Sequence, residues 1–246
     1  MLLDLDDTIL DDTGSRDRCW RAACLEAADR YRGLDAERLL TEITIVREWF
    51  WSDAGRHREW RLRMPDAWVH IARDALTRLG IDDPALAAFL GERHVELRDA
   101  ALAPLPHALE TLERLRSRDV VLGLITNGGS EGQRAKIERF ALASHFGYIG
   151  VEGEVGFGKP HRVAYETALR HLGAEPRDAW MVGDNLAWDV EGAQGVGIRG
   201  IWVDRDRRGV PANMTVKPDR IIGSIGELLT DSPEAPTPGP SPGLRR

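Results

Sequence analysis

From Pro104 to Leu229 the chain alternates between helical periodicity and short apolar runs, and no other feature of the sequence constrains the fold as tightly. Helical spacing covers His107 to Arg116, Gly132 to Phe140, Arg162 to His171 and Leu186 to Gln194. The apolar runs between them are Val120 to Thr126, Tyr148 to Val151, Ala179 to Gly183 and Ile198 to Val203. Such alternation stacks βα units into a parallel sheet, so the expected class is α/β with a doubly wound, mostly parallel, Rossmann-like sheet. Met1 to Asp6 supplies one further strand. Only three residues precede its first carboxylate, so either this strand is short or the given start lies late.

Between Gly14 and Ala103 no strand is expected. Apolar residues there recur at helical spacing over Trp20 to Tyr31, Ala36 to Trp51, Trp60 to Leu79 and Ala85 to Leu97. The reading is an all-helical insertion after the first strand: residues 1–13 and 104–231 form the sheet-bearing core and 14–103 the insertion. Residues 232–246 hold five of the 13 prolines and almost nothing apolar, the composition of a disordered tail. Five of the eight tryptophans (20, 49, 51, 60 and 68) fall in the insertion, where they are expected to fill the core of a small bundle.

Composition narrows the function classes. A net charge of −7 argues against general affinity for nucleic acid, which needs a basic face to displace counterions. The longest near-continuous apolar run, Val120 to Ile125, is far too short to cross a bilayer, so no membrane partner is expected. Met1-Leu2-Leu3-Asp4 offers neither a basic start nor an apolar stretch for a secretory signal, and a cytoplasmic protein is expected. Cys19 and Cys24 match neither a zinc knuckle nor a redox pair and read as ordinary helix residues. Of 33 basic residues only three are lysines, at 136, 159 and 217; in so arginine-rich a sequence, each lysine kept is a candidate for a role that arginine cannot fill.

Four segments carry candidate chemistry. In Asp4-Leu5-Asp6-Asp7-Thr8, Asp4 and Asp6 share one side of a strand and aim two carboxylates at the carboxyl edge of the sheet, where open α/β folds bind ligands. A divalent cation would offset that repulsion; alone, the string also reads as acidic turn residues. Thr126-Asn127-Gly128 ends an apolar run and offers a hydroxyl and backbone amides to phosphate oxygens, or simply a turn. Lys159, in Gly158-Lys159-Pro160, precedes a helix and reads either as a point charge in a tight site or as a solvated loop residue. Gly183-Asp184-Asn185 closes a strand, with Asp189 in the helix that follows; a helix cap at Asp184 is the structural alternative.

Other motifs fail on context. Gly195 to Gly200 spells G-x-G-x-x-G, but a helix precedes it and a strand follows, the reverse of a dinucleotide site. Lys159 is followed by Pro160, which excludes a P-loop, and the seven histidines show no H-x-x-x-H pair for zinc.

The four segments, in this order, resemble the haloacid dehalogenase superfamily in its phosphatase branch, with a helical cap inserted after the first strand. The resemblance covers residues 1 to about 230. It implies that Asp4 attacks phosphorus to form an aspartyl phosphate, while Asp6 protonates the leaving oxygen and then activates water. It implies further that Thr126, with Asn127 beside it, and Lys159 hold the phosphate. Mg²⁺ would be bound by Asp4, the Asp6 carbonyl and Asp184, with Asp189 in or next to that shell. The substrate implied is a small phosphorylated metabolite. A phosphomutase or a dehalogenase on the same fold, or a catalytically silent binding module, are the alternatives; Asp6 argues against the dehalogenase and the intact set against the silent module. Independently of any family, phosphoryl transfer needs charge neutralised on the equatorial oxygens, and an all-oxygen donor set suits Mg²⁺. In the insertion, Arg56, Arg58, Arg61 and Arg63 cluster near three tryptophans and form either a solvated basic face or a reader of substrate groups beyond the phosphate.

Overall fold

The structure is a computed structural model and describes residues 1–230; the expected tail at 232–246 and Asp231 lie outside the described residues. The chain opens with β1 (Leu2–Leu3), then runs through five helices: α1 (Arg16–Arg30), α2 (Ala36–Ser52), α3 (Ala54–Trp60), α4 (Met64–Arg78) and α5 (Pro84–Ala101). Alternation follows as α6 (Ala108–Ser117), β2 (Gly123–Thr126), α7 (Ser130–Arg139), β3 (Tyr148–Val151), α8 (Glu152–Val155), α9 (Arg162–Leu172) and β4 (Trp180–Gly183). A π-helical turn, Leu186–Glu191, then leads into α10 (Gly192–Gln194), β5 (Arg199–Val203) and β6 (Arg220–Ile222).

Among the described residues all six strands are parallel, in the order β3-β2-β1-β4-β5-β6. The order reverses at β1, which pairs with β2 through Leu2↔Gly123 and with β4 through Leu2↔Met181. Successive strand residues point to opposite faces. Leu3, Leu124, Val182 and Ile201 accordingly enter one apolar core, while Leu2, Ile125 and Met181 enter another with Tyr165 and Ala168 of α9. Both faces are thus covered, and the open end of the sheet beyond β1 and β4 is the crevice where such folds bind ligands.

The helices between β1 and α6 enclose their own core, built on Trp20, Leu39, Ile43, Phe50, Trp68, Ile71 and Leu90. Asp35, Asp53 and Asp83 start α2, α3 and α5 by accepting backbone amides. The single helix expected over Trp60 to Leu79 is interrupted: α3 ends at Trp60, a 3₁₀ turn spans Arg61–Arg63, and α4 begins anew with Pro65 in its first turn. Proline has no amide to give to a helix interior but fits a helix start. Trp20 and Trp68 are buried, and Trp51 and Trp60 pack against that core, whereas Trp49 is 54% exposed, with the Arg56 guanidinium 4.0 Å above its ring. Cys19 and Cys24 are buried, free thiols within α1, and burial pushes the Cys24 thiol up to about 12.

Three strands differ from expectation, the first being β1, which ends at Leu3 rather than running on to Asp6, so that Asp4 and Asp6 both lie beyond it. The run from Val120 enters the sheet only at Gly123, where pairing with Leu2 begins, and Val121 is exposed. Strand β6 has three residues, two of them outside the core, and so leaves no apolar run to read. No helix among the described residues is long and apolar enough to cross a membrane. Truncating the fully buried Ile71 to alanine is expected to cost about 2–5 kcal/mol, read as a lower denaturation midpoint in urea, because the helical core cannot collapse onto the lost volume.

Candidate active site

Asp4 leaves β1 with its amide bonded to the Val182 carbonyl of β4 at 2.9 Å, which fixes it at the point where the strand order reverses. Its Oδ1 lies 2.7 Å from the Lys159 ammonium, whose Nζ also donates to Asp189 Oδ1 at 2.6 Å. Lys159 is 1% exposed and Asp189 fully buried. The other oxygen of Asp189 accepts the Asn185 amide at 3.0 Å. Gly183 is required here, since a β-carbon at that position would run into the Asp189 carboxyl. Asn185 caps the following turn by accepting the amides of Ala187 and Trp188, and the Asp184 carbonyl accepts Trp202 Nε1 at 2.8 Å.

Asp4, Asp184 and Asp189 bring carboxylate oxygens within 4.8 Å of one another. Burial pushes the Asp4 carboxyl up to about 7 even against the pull of Lys159. Asp184 is pushed to about 8, first by burial and then by the charges of Asp4 and Asp189. Burial opposes the Lys159 ammonium, yet Asp189 and Asp4 outweigh it and hold its pKa above the ordinary value. Three crowded carboxylates facing one ammonium form an oxygen-only donor set short of positive charge, and that chemistry fits a hard divalent cation such as Mg²⁺.

Thr126, at the end of β2, is 1% exposed, and its Oγ1 accepts a hydrogen bond from Gln133 Nε2 at 2.5 Å. The Asn127 side chain spends both its groups on the Lys159 backbone: Nδ2 donates to the Lys159 carbonyl and Oδ1 accepts the Lys159 amide, each at 2.7 Å. The Asn127 side chain therefore holds the loop that carries Lys159. Of the amides expected to be free for phosphate, that of Gly128 is taken, donating to Glu152 Oε2 at 3.0 Å.

Asp6 stands apart from the three clustered carboxylates. Its Oδ1 accepts from Lys136 Nζ at 2.8 Å and its Oδ2 from Gln133 Nε2 at 3.0 Å. Neither partner is evident from local sequence, being 127 and 130 residues away in the chain. The available signal was the lysine itself, one of three in an arginine-rich sequence.

The turn between α3 and α4 lies across the sheet's open end. Arg61 makes a two-pronged ion pair with Glu152, at 2.8 and 2.5 Å, and its guanidinium sits 5.4 Å from the Trp188 ring centroid. His57 also packs on Trp188, ring centroids 5.1 Å apart. The Leu62 carbonyl presses on Gly129 where any β-carbon would collide with it. Of the clustered arginines, Arg56 bonds to the carbonyls of Trp49 and Phe50, Arg63 to Glu59, and Arg58 is exposed; Arg61 alone of the four is seen to cross to the sheet.

The chain also has relatives among known proteins. Residues 1–197 match the model of the haloacid dehalogenase-like hydrolases. The chain is 35% identical to a phosphoserine phosphatase of Thermus thermophilus, over 93% of this chain and 97% of that protein. It is 28% identical to a glyceraldehyde 3-phosphate phosphatase of Methanopyrus kandleri, over 94% and 98% respectively. Among solved structures, the HAD-hydrolase YfnB of Bacillus subtilis superposes with a TM-score of 0.70 at 20% identity, covering 92% of this chain and 95% of that one, a likeness of fold. With a matching family model over most of its length, the chain belongs to the haloacid dehalogenase-like hydrolases, on their phosphatase side.

Proposed function

We propose that this protein is a Mg²⁺-dependent phosphatase of small phosphorylated metabolites that works through an aspartyl phosphate on Asp4, with residues 14–103 acting as a cap over residues 1–13 and 104–231. The observation that carries the reading is the buried ammonium of Lys159 held between Asp4 and Asp189 beside Asp184, at the sheet's reversal point. Asp4, Asp184 and the Asp6 carbonyl would hold Mg²⁺, with Asp189 alongside. The ion, when bound, supplies positive charge that offsets the carboxylates and the phosphate oxygens.

Lys159 occupies Asp4 Oδ1 and leaves Oδ2 to attack phosphorus. As the Oδ2–P bond forms, the bond from phosphorus to the leaving oxygen breaks, and Asp6 gives that oxygen a proton. Water then attacks the phosphorus, Asp6 takes its proton, and the P–O bond to Asp4 breaks to return the carboxylate and inorganic phosphate. Lys159 and the Thr126 hydroxyl face the phosphate oxygens, where developing charge is best met by donors already in place. Gln133 orients that hydroxyl and Asn127 the lysine.

The test is phosphate release from a panel of phosphomonoesters led by phosphoserine, on which the full-length bacterial relative acts by its name. Chelator is expected to lower the rate at least about tenfold, and added Mg²⁺ to restore it. Undiminished activity in excess chelator would overturn the metal assignment, and no release from any small ester would overturn the substrate class.

A further inference from the structure

We propose that Lys136 is a positioning residue for Asp6, resting on the acid–base role of Asp6 given above. Asp6 leaves β1 on a loop, and its carboxylate would swing freely but for two donors from one face of α7: Gln133 to Oδ2 and, one turn on, Lys136 to Oδ1. The same ammonium donates at 2.9 Å to Oδ1 of Asp12, which is in turn held by Arg98 at the end of α5, through both its carboxylate and, at 3.2 Å, its carbonyl. Asp12 and Arg98 flank the two crossings of the chain between sheet and helices. Lys136 therefore ties the reacting carboxylate to the place where the chain crosses between sheet and helices.

The residue type fits the task. One ammonium reaches two carboxylates from separate directions through rotatable donors, whereas a planar guanidinium presents a rigid fork. Lys136 is half-buried, 19% exposed at its side chain, and Gln133 is buried, so both donors are held by packing rather than by solvent. Each Asp6 oxygen accepts one of these bonds and retains a second lone pair for the proton it transfers. A carboxylate so held needs no search before proton transfer, and proton transfer matters most when the departing oxygen is a poor leaving group.

The effect is read by comparing phenyl phosphate with p-nitrophenyl phosphate, whose leaving group departs readily without an acid. Lys136→Met is expected to lower kcat/KM about tenfold for phenyl phosphate and only about threefold for the nitrophenyl ester, the same ordering that Asp6→Asn produces more strongly. In an Asp6→Asn background the further loss from Lys136→Met should stay under about twofold, since a residue that acts through Asp6 has nothing left to position. Equal losses on both esters that multiply with Asp6→Asn would overturn the inference and leave Lys136 a structural ion pair. If Asp6→Asn itself treats the two esters alike, the acid–base role of Asp6 fails instead. Should Lys136→Met not fold, Lys136→Gln, which keeps a donor without the charge, is read by the same comparison.

Discussion

Replacing Asp4 with asparagine is expected to reduce turnover at least about 10⁴-fold, close to 5.5 kcal/mol of transition-state stabilisation. The amide matches the carboxylate in shape, so its neighbours Lys159 and Asp189 keep each other and the site remains assembled. What disappears is the anionic oxygen that would bond to phosphorus; of the other two carboxylates, Asp189 has one oxygen on Lys159 and the other on the Asn185 amide, and Asp184 would be given to Mg²⁺ in the proposed mechanism. The measurement is single-turnover phosphate release together with acid-quench trapping of the phosphoenzyme. A phosphoryl group trapped on wild-type protein and mapped to any residue but Asp4 would overturn the assignment, as would an Asp4→Asn variant within about tenfold of wild type.

The second large effect is expected from a substitution that preserves charge. Lys159→Arg should lower kcat/KM about a hundredfold, near 2.7 kcal/mol. The ammonium is 1% exposed and touches Asp4 and Asp189 at 2.7 and 2.6 Å. A guanidinium is wider, planar and unable to contract into that space. The backbone cannot retreat to make room, because Asn127 grips both the amide and the carbonyl of residue 159. A sequence with 30 arginines among its 33 basic residues shows no reluctance to use arginine where charge alone suffices. Wild-type rates in the variant would return Lys159 to the role of an ordinary cation; unchanged circular dichroism alongside the lost rate separates the effect from misfolding.

How much of this was legible beforehand depended on the distance over which each interaction acts. The parallel sheet could be read because every strand but β6 announces itself by a local apolar run, and Asp4, Thr126, Lys159 and Asp184 could be picked out because they stand at the ends of those runs or just before a helix. The pairing of Asp6 with Gln133 and Lys136 could not, since two segments more than 120 residues apart meet only once the sheet has formed. The Gly128 amide illustrates the same limit. Locally it looks free for an anion, but Glu152 beyond the next strand already occupies it. Among the arginines of the insertion, spacing grouped four as equals; the break at Pro65 turns the chain so that Arg61 faces the sheet while Arg63 stays with Glu59.

The position of that turn would also set a clock. Asp4, Thr126 and Lys159 are buried, and the segment from His57 to Leu62 rests on Trp188 at one side and on Gly129 at the other, tied down by Arg61 and Glu152. With residues 14–103 acting as the proposed cap, an ester bearing any sizeable alcohol would arrive, and its alcohol depart, while this tie is undone. Each round of hydrolysis would therefore break and remake a two-pronged, largely desolvated ion pair, and Gly128, bonded to the same carboxylate, would feel every opening at the loop that follows β2. For the swiftest substrates the ceiling on throughput would then belong to a latch, and only for the slower ones to the chemistry behind it.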